Sequence, residues 1–441
     1  MFAHPVIDRA PHALPLDGLG AVLFAIAFAV VAITMWRRPA YAIGLLVMCV
    51  PFAFARHIGP TTLTLPKIAL LGAIAGLALR RTSLAPLRVG ATRTLALCGS
   101  AVLLATALSI WHANDRGAAL RETLKALEYL SLFATIALAA RADDDERTVG
   151  ATIVATMGVV CVLALVQEIT GAPSGIWFFG HTIPRIAGPL EGPNQLAGYL
   201  SIALALTFAL ALARVPAPGT LAAIGLGLAT LVLTLSRTGI ASTLLGLGAV
   251  AAYAQRRLSR RTLLVSALGV IAGVAVLAAW GASLGLGHAG TAAVLGHLSS
   301  VAESPDPGRV GDRSQLWHAA FVLWRAHPFF GIGAGNYENE LALAGYPQLH
   351  THANSLYLQA LVEGGIPLFL ATLALVAASI LAFVRGPLRD AFVLGALGAS
   401  VALASHQLLD FLVFYPKVGD LWWIALALGA ARKDGARASA R

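Results

Sequence analysis

Charged side chains are scarce in this chain. Only 12% of its 441 residues are Asp, Glu, Lys or Arg, whereas 58% are hydrophobic and the mean hydropathy is +0.78. A soluble protein needs a polar exterior and cannot hide that much apolar surface. Lipid removes the difficulty, because apolar side chains can face it directly. The composition therefore excludes an ordinary soluble protein and predicts an integral membrane protein.

Cysteine is also rare, and its spacing indicates no chemistry. Cys49, Cys98 and Cys161 each lie inside an apolar stretch, and none has the spacing of metal ligands or of a redox pair. A disulfide framework is not expected at such separations. We interpret all three residues as buried packing thiols.

Long apolar runs make up most of the sequence. Thirteen stretches of about 17 residues or more have the length of a membrane-spanning helix. They lie near residues 18–36, 40–55, 62–79, 94–111, 119–140, 149–169, 194–213, 219–235, 238–254, 262–285, 355–384, 389–405 and 417–431. Continuous rather than alternating runs favour helices over a barrel. Because the first runs are short and closely spaced, we predict an all-α polytopic membrane protein with about 12 transmembrane helices.

The predicted helices divide the chain into three regions. Residues 1–285 hold about nine or ten transmembrane helices, and residues 286–350 form a long loop outside the bilayer. Residues 351–441 hold the last helices and a short tail. A loop of this length is usually functional rather than a simple connection.

Basic residues orient the helices. Nineteen of the 31 Lys and Arg residues fall in alternate connections, on one side of the predicted bundle. Such an excess marks the cytoplasmic side, so the C-terminus is expected there. The same pattern explains most of the net charge of +10 without nucleic acid as a partner. The nineteen are Arg37, Arg38, Arg80, Arg81, Arg88, Arg93, Arg141, Arg147, Arg214, Arg256, Arg257, Arg260, Arg261, Arg385, Arg389, Arg432, Lys433, Arg437 and Arg441.

A few arginines break this pattern because they lie on the opposite side. Arg185 and Arg237 are the clearest pair, and Arg237 stands in a very short turn between two apolar runs. Charge at such a place is costly and indicates function. Snorkelling to lipid phosphates would explain one arginine. Two arginines at the same rim favour an anionic ligand.

The long loop contains an amphipathic helix and a glycine-rich turn. Apolar residues after Gly311 recur at helical spacing, and Trp317 and Trp324 lie seven residues apart, which predicts a helix at the membrane interface. The segment 331–337 superficially resembles a dinucleotide loop, but no predicted strand precedes it. We interpret it as a tight backbone turn beneath a lid.

Histidines mark the end of the loop. His350 and His352 lie just before an apolar helix, and no third metal ligand stands at a suitable spacing. A single histidine acting as a general base is therefore favoured over a metal site. His406 and Asp410 are a further candidate pair, because they are four residues apart at the outer end of a later span.

Four segments, in this order, resemble the O-antigen ligase and polymerase superfamily of envelope glycosyltransferases. They are residues 185–199, 235–239, 311–337 and 350–364. The resemblance covers roughly residues 180–370 and extends to the segment with His406 and Asp410. One position departs from the family, which places His directly before Asn ahead of a Leu-Tyr-Leu-Gln run. Here Asn354 and Ser355 fill that place, and His352 lies two residues earlier.

The resemblance implies the substrates and the location. The donor would be a glycan on undecaprenyl pyrophosphate, the acceptor a lipid A–core sugar hydroxyl, and the site would face the periplasm from the bacterial inner membrane. Membrane lipid is the only other partner implied, and no metal or cofactor is required. Arg185, Arg237 and Arg313 would bind the pyrophosphate, because guanidinium groups meet phosphate charge with paired hydrogen bonds.

Further roles follow from the same resemblance. His352, with His350 as the second choice, would take the proton of the acceptor hydroxyl in a single inverting displacement. Asp410, Glu363 or Glu191 would orient the imidazole. Trp177 belongs to an aromatic run that anchors the interface or lines a groove for the prenyl chain. The other candidate contacts of the donor or acceptor are Asn194, Asn336 and Tyr337.

O-antigen ligase is the function that we favour, with three alternatives. O-antigen polymerase and protein O-oligosaccharyltransferase share the motifs. Protein-directed members tend to be longer, whereas this chain ends about ten residues after its last predicted span, which favours ligase or polymerase. A secondary transporter is the alternative from another class. Transporters typically show two related halves, and we find no such repeat.

Overall fold

The computed structural model describes residues 18–52, 55–58, 61–140, 144–171, 174–178, 181–215, 219–254, 268, 271, 313–384 and 390–439. About 80% of the structure is helical and almost none of it is strand, so the predicted all-α fold is confirmed. In chain order the helices are α1 Gly18–Arg37, α2 Pro39–Cys49, α3 Leu65–Leu79, α4 Gly90–Ser109, α5 Arg116–Ala139, α6 Asp144–Thr170, α7 Pro193–Ala213, α8 Thr220–Leu233, α9 Arg237–Tyr253, α10 Arg313–Ala326, α11 Tyr337–Glu340, α12 Leu356–Val384, α13 Ala391–His406 and α14 Pro416–Ser439. Short 3₁₀ turns cover Ala85–Arg88, Ile110–His112 and Leu412–Phe414.

Five of these helices are long and apolar enough to cross a membrane, namely α1, α4, α6, α7 and α12. Four shorter apolar helices, α2, α3, α8 and α13, accompany them. Leu97 and Leu104 on α4 are 58% and 61% exposed, as expected for side chains that face lipid. The chain is therefore a polytopic membrane protein. Of the predicted span near 262–285, all but residues 268 and 271 lie outside the described residues.

Helix α7 lies at the centre of the bundle. It is buried along almost its whole length because α8, α9 and α13 pack around it. Glycines allow α9 and α13 to approach closely: a Cβ at Gly246 would lie 2.6 Å from the carbonyl oxygen of Gly398. Small residues at such crossings are typical of helix packing in membranes. This close packing keeps the ends of α7, α9 and α13 rigid, and those ends carry polar side chains of the candidate site.

Two β-hairpins were not predicted. Strand β1 (Ala55–Ile58) pairs antiparallel with β2 (Thr61–Thr64), and β3 (Ser174–Phe178) pairs with β4 (His181–Arg185). The second hairpin places Trp177 opposite Thr182 and ends at Arg185. Arg185 therefore lies at the end of an ordered strand, close to the start of α7.

A kink in α12 creates a docking place for the loop that precedes it. Pro367 has no N–H, so the carbonyl of Glu363 loses its helical partner. That carbonyl accepts instead from the N–H of Gly333 at 2.9 Å, and the carbonyl of Val362 accepts from Ile332 at 3.0 Å. Gly365 adopts φ +62° at the kink. The segment after α10 is thus hydrogen-bonded to the broken helix rather than lying loosely over it.

Candidate functional site

The glycine-rich segment 331–337 fixes one wall of the candidate site. Gly331, Gly333 and Gly335 all have positive φ, which L side chains rarely adopt. The Asn336 side chain then accepts from the N–H of Asp115 at 2.7 Å and donates to the carbonyl of Asp115 at 3.1 Å. This two-way contact joins the segment to the start of α5. It agrees with the interpretation of the segment as a tight backbone turn.

Gly333→Ala is expected to destabilise the protein more than Gly345→Ala. Both glycines have φ near +90°, so alanine costs about 1–2 kcal/mol of backbone strain at either position. At Gly333 the new Cβ would also lie 2.4 Å from the Cβ of Ala113, which adds about 1–3 kcal/mol of overpacking. At Gly345 no atom lies within 4 Å. Thermal unfolding of the purified variants in detergent measures the difference, and equal shifts would contradict the close approach.

The segment that carries His352 is held from both sides. The N–H of Ala353 donates to Oε1 of Gln359 at 2.8 Å, and its carbonyl accepts from Nε1 of Trp317 at 3.1 Å. Asn354 adopts φ +48°, a conformation that asparagine tolerates better than most residues. These contacts fix the backbone around His352 between α10 and α12.

Glu363 stabilises the same segment through a buried hydrogen-bond network. It is buried and accepts from Nε2 of Gln359 at 2.8 Å and from the N–H of Tyr337 at 3.3 Å. The Tyr337 hydroxyl donates to the carbonyl of Leu316 in α10 at 2.5 Å. Glu363 and Tyr337 thus connect the lid helix α10, the glycine-rich segment and α12. They reach the His352 segment through Gln359, and Asn336 lies in the same network.

Aromatic rings surround His352. Its imidazole centroid lies 4.0 Å from that of Phe414, 5.5 Å from Phe411 and 6.4 Å from Tyr415. Lys125 packs on the ring of Phe414, with its Nζ 4.0 Å from the ring centroid. Burial lowers the pKa of His352, and the Lys125 charge lowers it further, to about 4. The imidazole is therefore neutral near pH 7 and able to accept a proton. His350, in contrast, is exposed.

A hydrogen-bonded chain joins three of the predicted site residues. Arg185 donates through Nη2 to Oδ1 of Asn194 at 2.8 Å, and Nδ2 of Asn194 donates to Oδ2 of Asp410 at 2.9 Å. The other carboxylate oxygen of Asp410 accepts from the N–H of Phe411 at 2.8 Å. Because Phe411 also contacts the His352 ring, the chain runs from Arg185 to the edge of the aromatic cluster. Burial raises the pKa of Asp410, an effect that the Phe411 N–H and Arg313 partly offset.

The three predicted arginines share one region. Nε of Arg185 donates to the carbonyl of Thr234 at 2.7 Å, and this carbonyl lies in the turn that leads to Arg237, the first residue of α9. Arg313, the first residue of α10, acts electrostatically on both Arg237 and Asp410. The three positive side chains thus lie in one region with the Asp410 carboxylate, and their guanidinium groups supply the positive charge that an anion site requires.

Glu191, one of the three residues predicted to orient His352, forms an ion pair with Lys417. Its Oε1 lies 3.3 Å from Nζ of Lys417, which is almost fully buried. The same ammonium donates to the carbonyl of Pro189 at 2.5 Å. Lys417 thereby holds the loop between Arg185 and α7 against the start of α14. No sequence pattern predicted this role for Lys417.

A cavity of about 130 Å³ lies behind the aromatic cluster. Helices α4, α5, α12 and α14 line it, mostly with apolar side chains such as Leu368 and Trp423. Its polar end includes Glu122, Lys125 and Glu363, and Phe411 also lines it. Phe411 and Lys125 therefore separate a largely hydrocarbon-lined space from the imidazole of His352. The sequence does not reveal this cavity, because its walls come from distant parts of the chain.

Comparison with known proteins agrees with the predicted resemblance. No curated protein matches the chain. A family model described as O-antigen ligase matches residues 222–373, about a third of the chain. The matched stretch includes Arg237, Arg313 and His352, whereas Arg185 and Asp410 lie outside it. It supports an enzyme of the glycosyltransferase type. Residues 222–373 are therefore similar to the O-antigen ligase family, which supports the placement of the protein in the O-antigen ligase and polymerase superfamily.

Proposed function

We propose that the protein is an O-antigen ligase, which transfers a glycan from undecaprenyl pyrophosphate to a sugar hydroxyl of lipid A–core. The observation that carries the proposal is the group formed by Arg185, Arg237, Arg313 and Asp410 next to the neutral imidazole of His352. Arginines suit a pyrophosphate, and a neutral imidazole suits the proton of a hydroxyl. The apolar cavity behind Phe411 is consistent with lipid-linked substrates.

The proposed reaction is a single displacement. The acceptor oxygen forms a bond to the anomeric carbon as the bond from that carbon to the phosphate oxygen breaks. His352 takes the hydroxyl proton, and undecaprenyl pyrophosphate leaves with the bonding electrons, its charge stabilised by the arginines. Attack from the opposite face inverts the anomeric configuration. The pyrophosphate needs no proton to leave, so no acid is assigned.

The basic residues support the location of this reaction. We place the C-terminus and the nineteen patterned Lys and Arg residues in the cytoplasm, and the site at the periplasmic face of the inner membrane. Reaction of a membrane-impermeant reagent with a cysteine at exposed His350, but not with one at exposed Arg93, would agree with this topology. The opposite labelling would contradict it.

Transfer by the purified protein tests the function directly. The protein in nanodiscs is mixed with lipid-linked glycan and lipid A–core, in EDTA and without nucleotide. We expect glycosylated lipid A–core with an inverted linkage. A requirement for a nucleotide sugar would contradict the proposal. In cells, a deletion should leave lipid A–core without long chains while lipid-linked polymer accumulates; a single repeat left on the core would assign the polymerase reaction instead.

A further inference from the structure

His406 is a buried polar side chain that the proposed reaction does not use. It is the last residue of α13, and its side chain is fully buried. Neither Nδ1 nor Nε2 has a hydrogen-bond partner among the residues that the structure describes. Burying a polar group without a partner is unfavourable, so such groups are rare without a reason.

The surroundings of His406 are those of the arginine group. Asp410 lies four residues further along the chain, after the end of α13, where it accepts from Asn194. The backbone between them is fixed, because the N–H of Leu356 donates to the carbonyls of Gln407 and Asp410 at 3.0 and 3.1 Å. His406 is thus held at a defined place beside Asp410, at the end of a rigid helix.

Arg313 lies in the same region as His406, and it too has a buried nitrogen that makes no hydrogen bond within the described residues. Its charge acts electrostatically on His406 as well as on Asp410. Its Nε is also buried without a hydrogen-bond partner in the described part of the chain. Two side chains that interact electrostatically therefore each have a buried nitrogen without a hydrogen-bond partner in the described part of the chain. Nε of Arg313 can only donate, and an imidazole always has at least one nitrogen that donates.

We propose that His406 binds the substrate by donating a hydrogen bond to a phosphate oxygen of the lipid pyrophosphate, next to Arg313. The inference rests on the proposed function for the identity of the donor. A phosphate oxygen is the acceptor that can satisfy both N–H groups at once. His352 acts on the acceptor hydroxyl, whereas His406 belongs to the binding site of the leaving group.

Binding of a prenyl pyrophosphate to the full-length protein in nanodiscs tests the inference. Radiolabelled farnesyl pyrophosphate is the probe, and farnesol is the matched ligand without phosphate. His406→Leu should weaken binding of farnesyl pyrophosphate by about 10-fold or more and leave farnesol binding unchanged. The amide nitrogen of Asn mimics Nδ1 and that of Gln mimics Nε2, so either His406→Asn or His406→Gln should restore most of the affinity.

Thermal unfolding without ligand separates binding from folding. Leucine removes an unpaired buried polar group, so His406→Leu should unfold at the same or a higher temperature than the wild type. A lower unfolding temperature for all three variants, with equal losses of binding, would assign His406 a structural role and overturn the inference. Unchanged pyrophosphate binding in His406→Leu would overturn it too.

The same experiment distinguishes failure of the inference from failure of the proposed function. If the wild type does not bind farnesyl pyrophosphate more tightly than farnesol, the pyrophosphate donor is wrong and the inference falls with it. If the wild type binds the probe and Arg313→Gln weakens binding, the donor stands. Binding by His406→Leu then tests the inference by itself. The variant that carries both Arg313→Gln and His406→Leu should lose less binding free energy than the sum of the two single losses.

Discussion

Arg185→Ala is expected to lower glycan transfer by about 100-fold or more, with an unchanged amount of protein in the membrane. Arg185 is connected to two parts of the site at once, through the Thr234 carbonyl and the Asn194 side chain. Alanine would remove a positive charge beside the leaving group and also release Asn194, which holds Asp410. Both losses act on the transition state, in which negative charge develops on the pyrophosphate.

Two further variants make this expectation specific. Arg185→Lys keeps the charge but not the forked geometry, so it should recover only part of the transfer. Arg93→Ala removes an exposed arginine from the first turn of α4 and should leave transfer unchanged. Transfer is measured with purified proteins at equal amounts, and Arg237→Ala should behave like Arg185→Ala. Near-normal transfer by Arg185→Ala would show that Arg185 does not bind the pyrophosphate.

The long apolar helices of this protein could be predicted from the sequence, because a continuous run of apolar residues of sufficient length indicates such a helix. The predicted spans near 194–213 and 355–384 correspond closely to α7 and α12. The β3–β4 hairpin was missed because its strands have only five residues each and one contains Pro184. The kink in α12 is signalled by Gly365 and Pro367, but only the docked loop shows what the freed carbonyls bind.

The site could be predicted in part, because charge in an apolar context is visible in a sequence. Arg185 and Arg237 were predicted on this ground. The structure then joins Arg185 to Asp410 through hydrogen bonds to Asn194. Asn194 and Asp410 are 216 positions apart, and no periodicity relates positions so distant. Lys125 was missed although it stands inside a predicted span, where the same reasoning applies.

Contacts made through folding also decide the chemistry of His352. The sequence identifies a histidine at a helix start, with an ordinary pKa. The lowered pKa arises from burial against Phe411 and Phe414 and from Lys125, which come from two other parts of the chain. A sequence shows which groups titrate, but their environment is set by tertiary packing.

His352→Ala is expected to lower transfer by about 100- to 10,000-fold, the usual contribution of a general base. The pH dependence should identify this base. Protonated imidazole cannot accept a proton, so transfer by the wild type should fall only as the pH drops towards about 4. Lys125→Met removes a positive charge that lowers the pKa of His352, so the fall should begin at a higher pH. The His352 imidazole stays buried in this variant, so its pKa rises only part of the way towards the ordinary value.

Matched variants assign the acidic limb of this pH profile to one group. Lys67→Met removes another lysine, paired with Glu128 on α5, and should leave the limb in place. Asp410→Asn removes the buried carboxylate of the same site, whose pKa is raised by burial, and the limb of His352 should persist in whatever transfer remains. Circular dichroism at each pH confirms that the protein stays folded. An acidic limb that disappears in His350→Ala and persists in His352→Ala would make His350 the base instead.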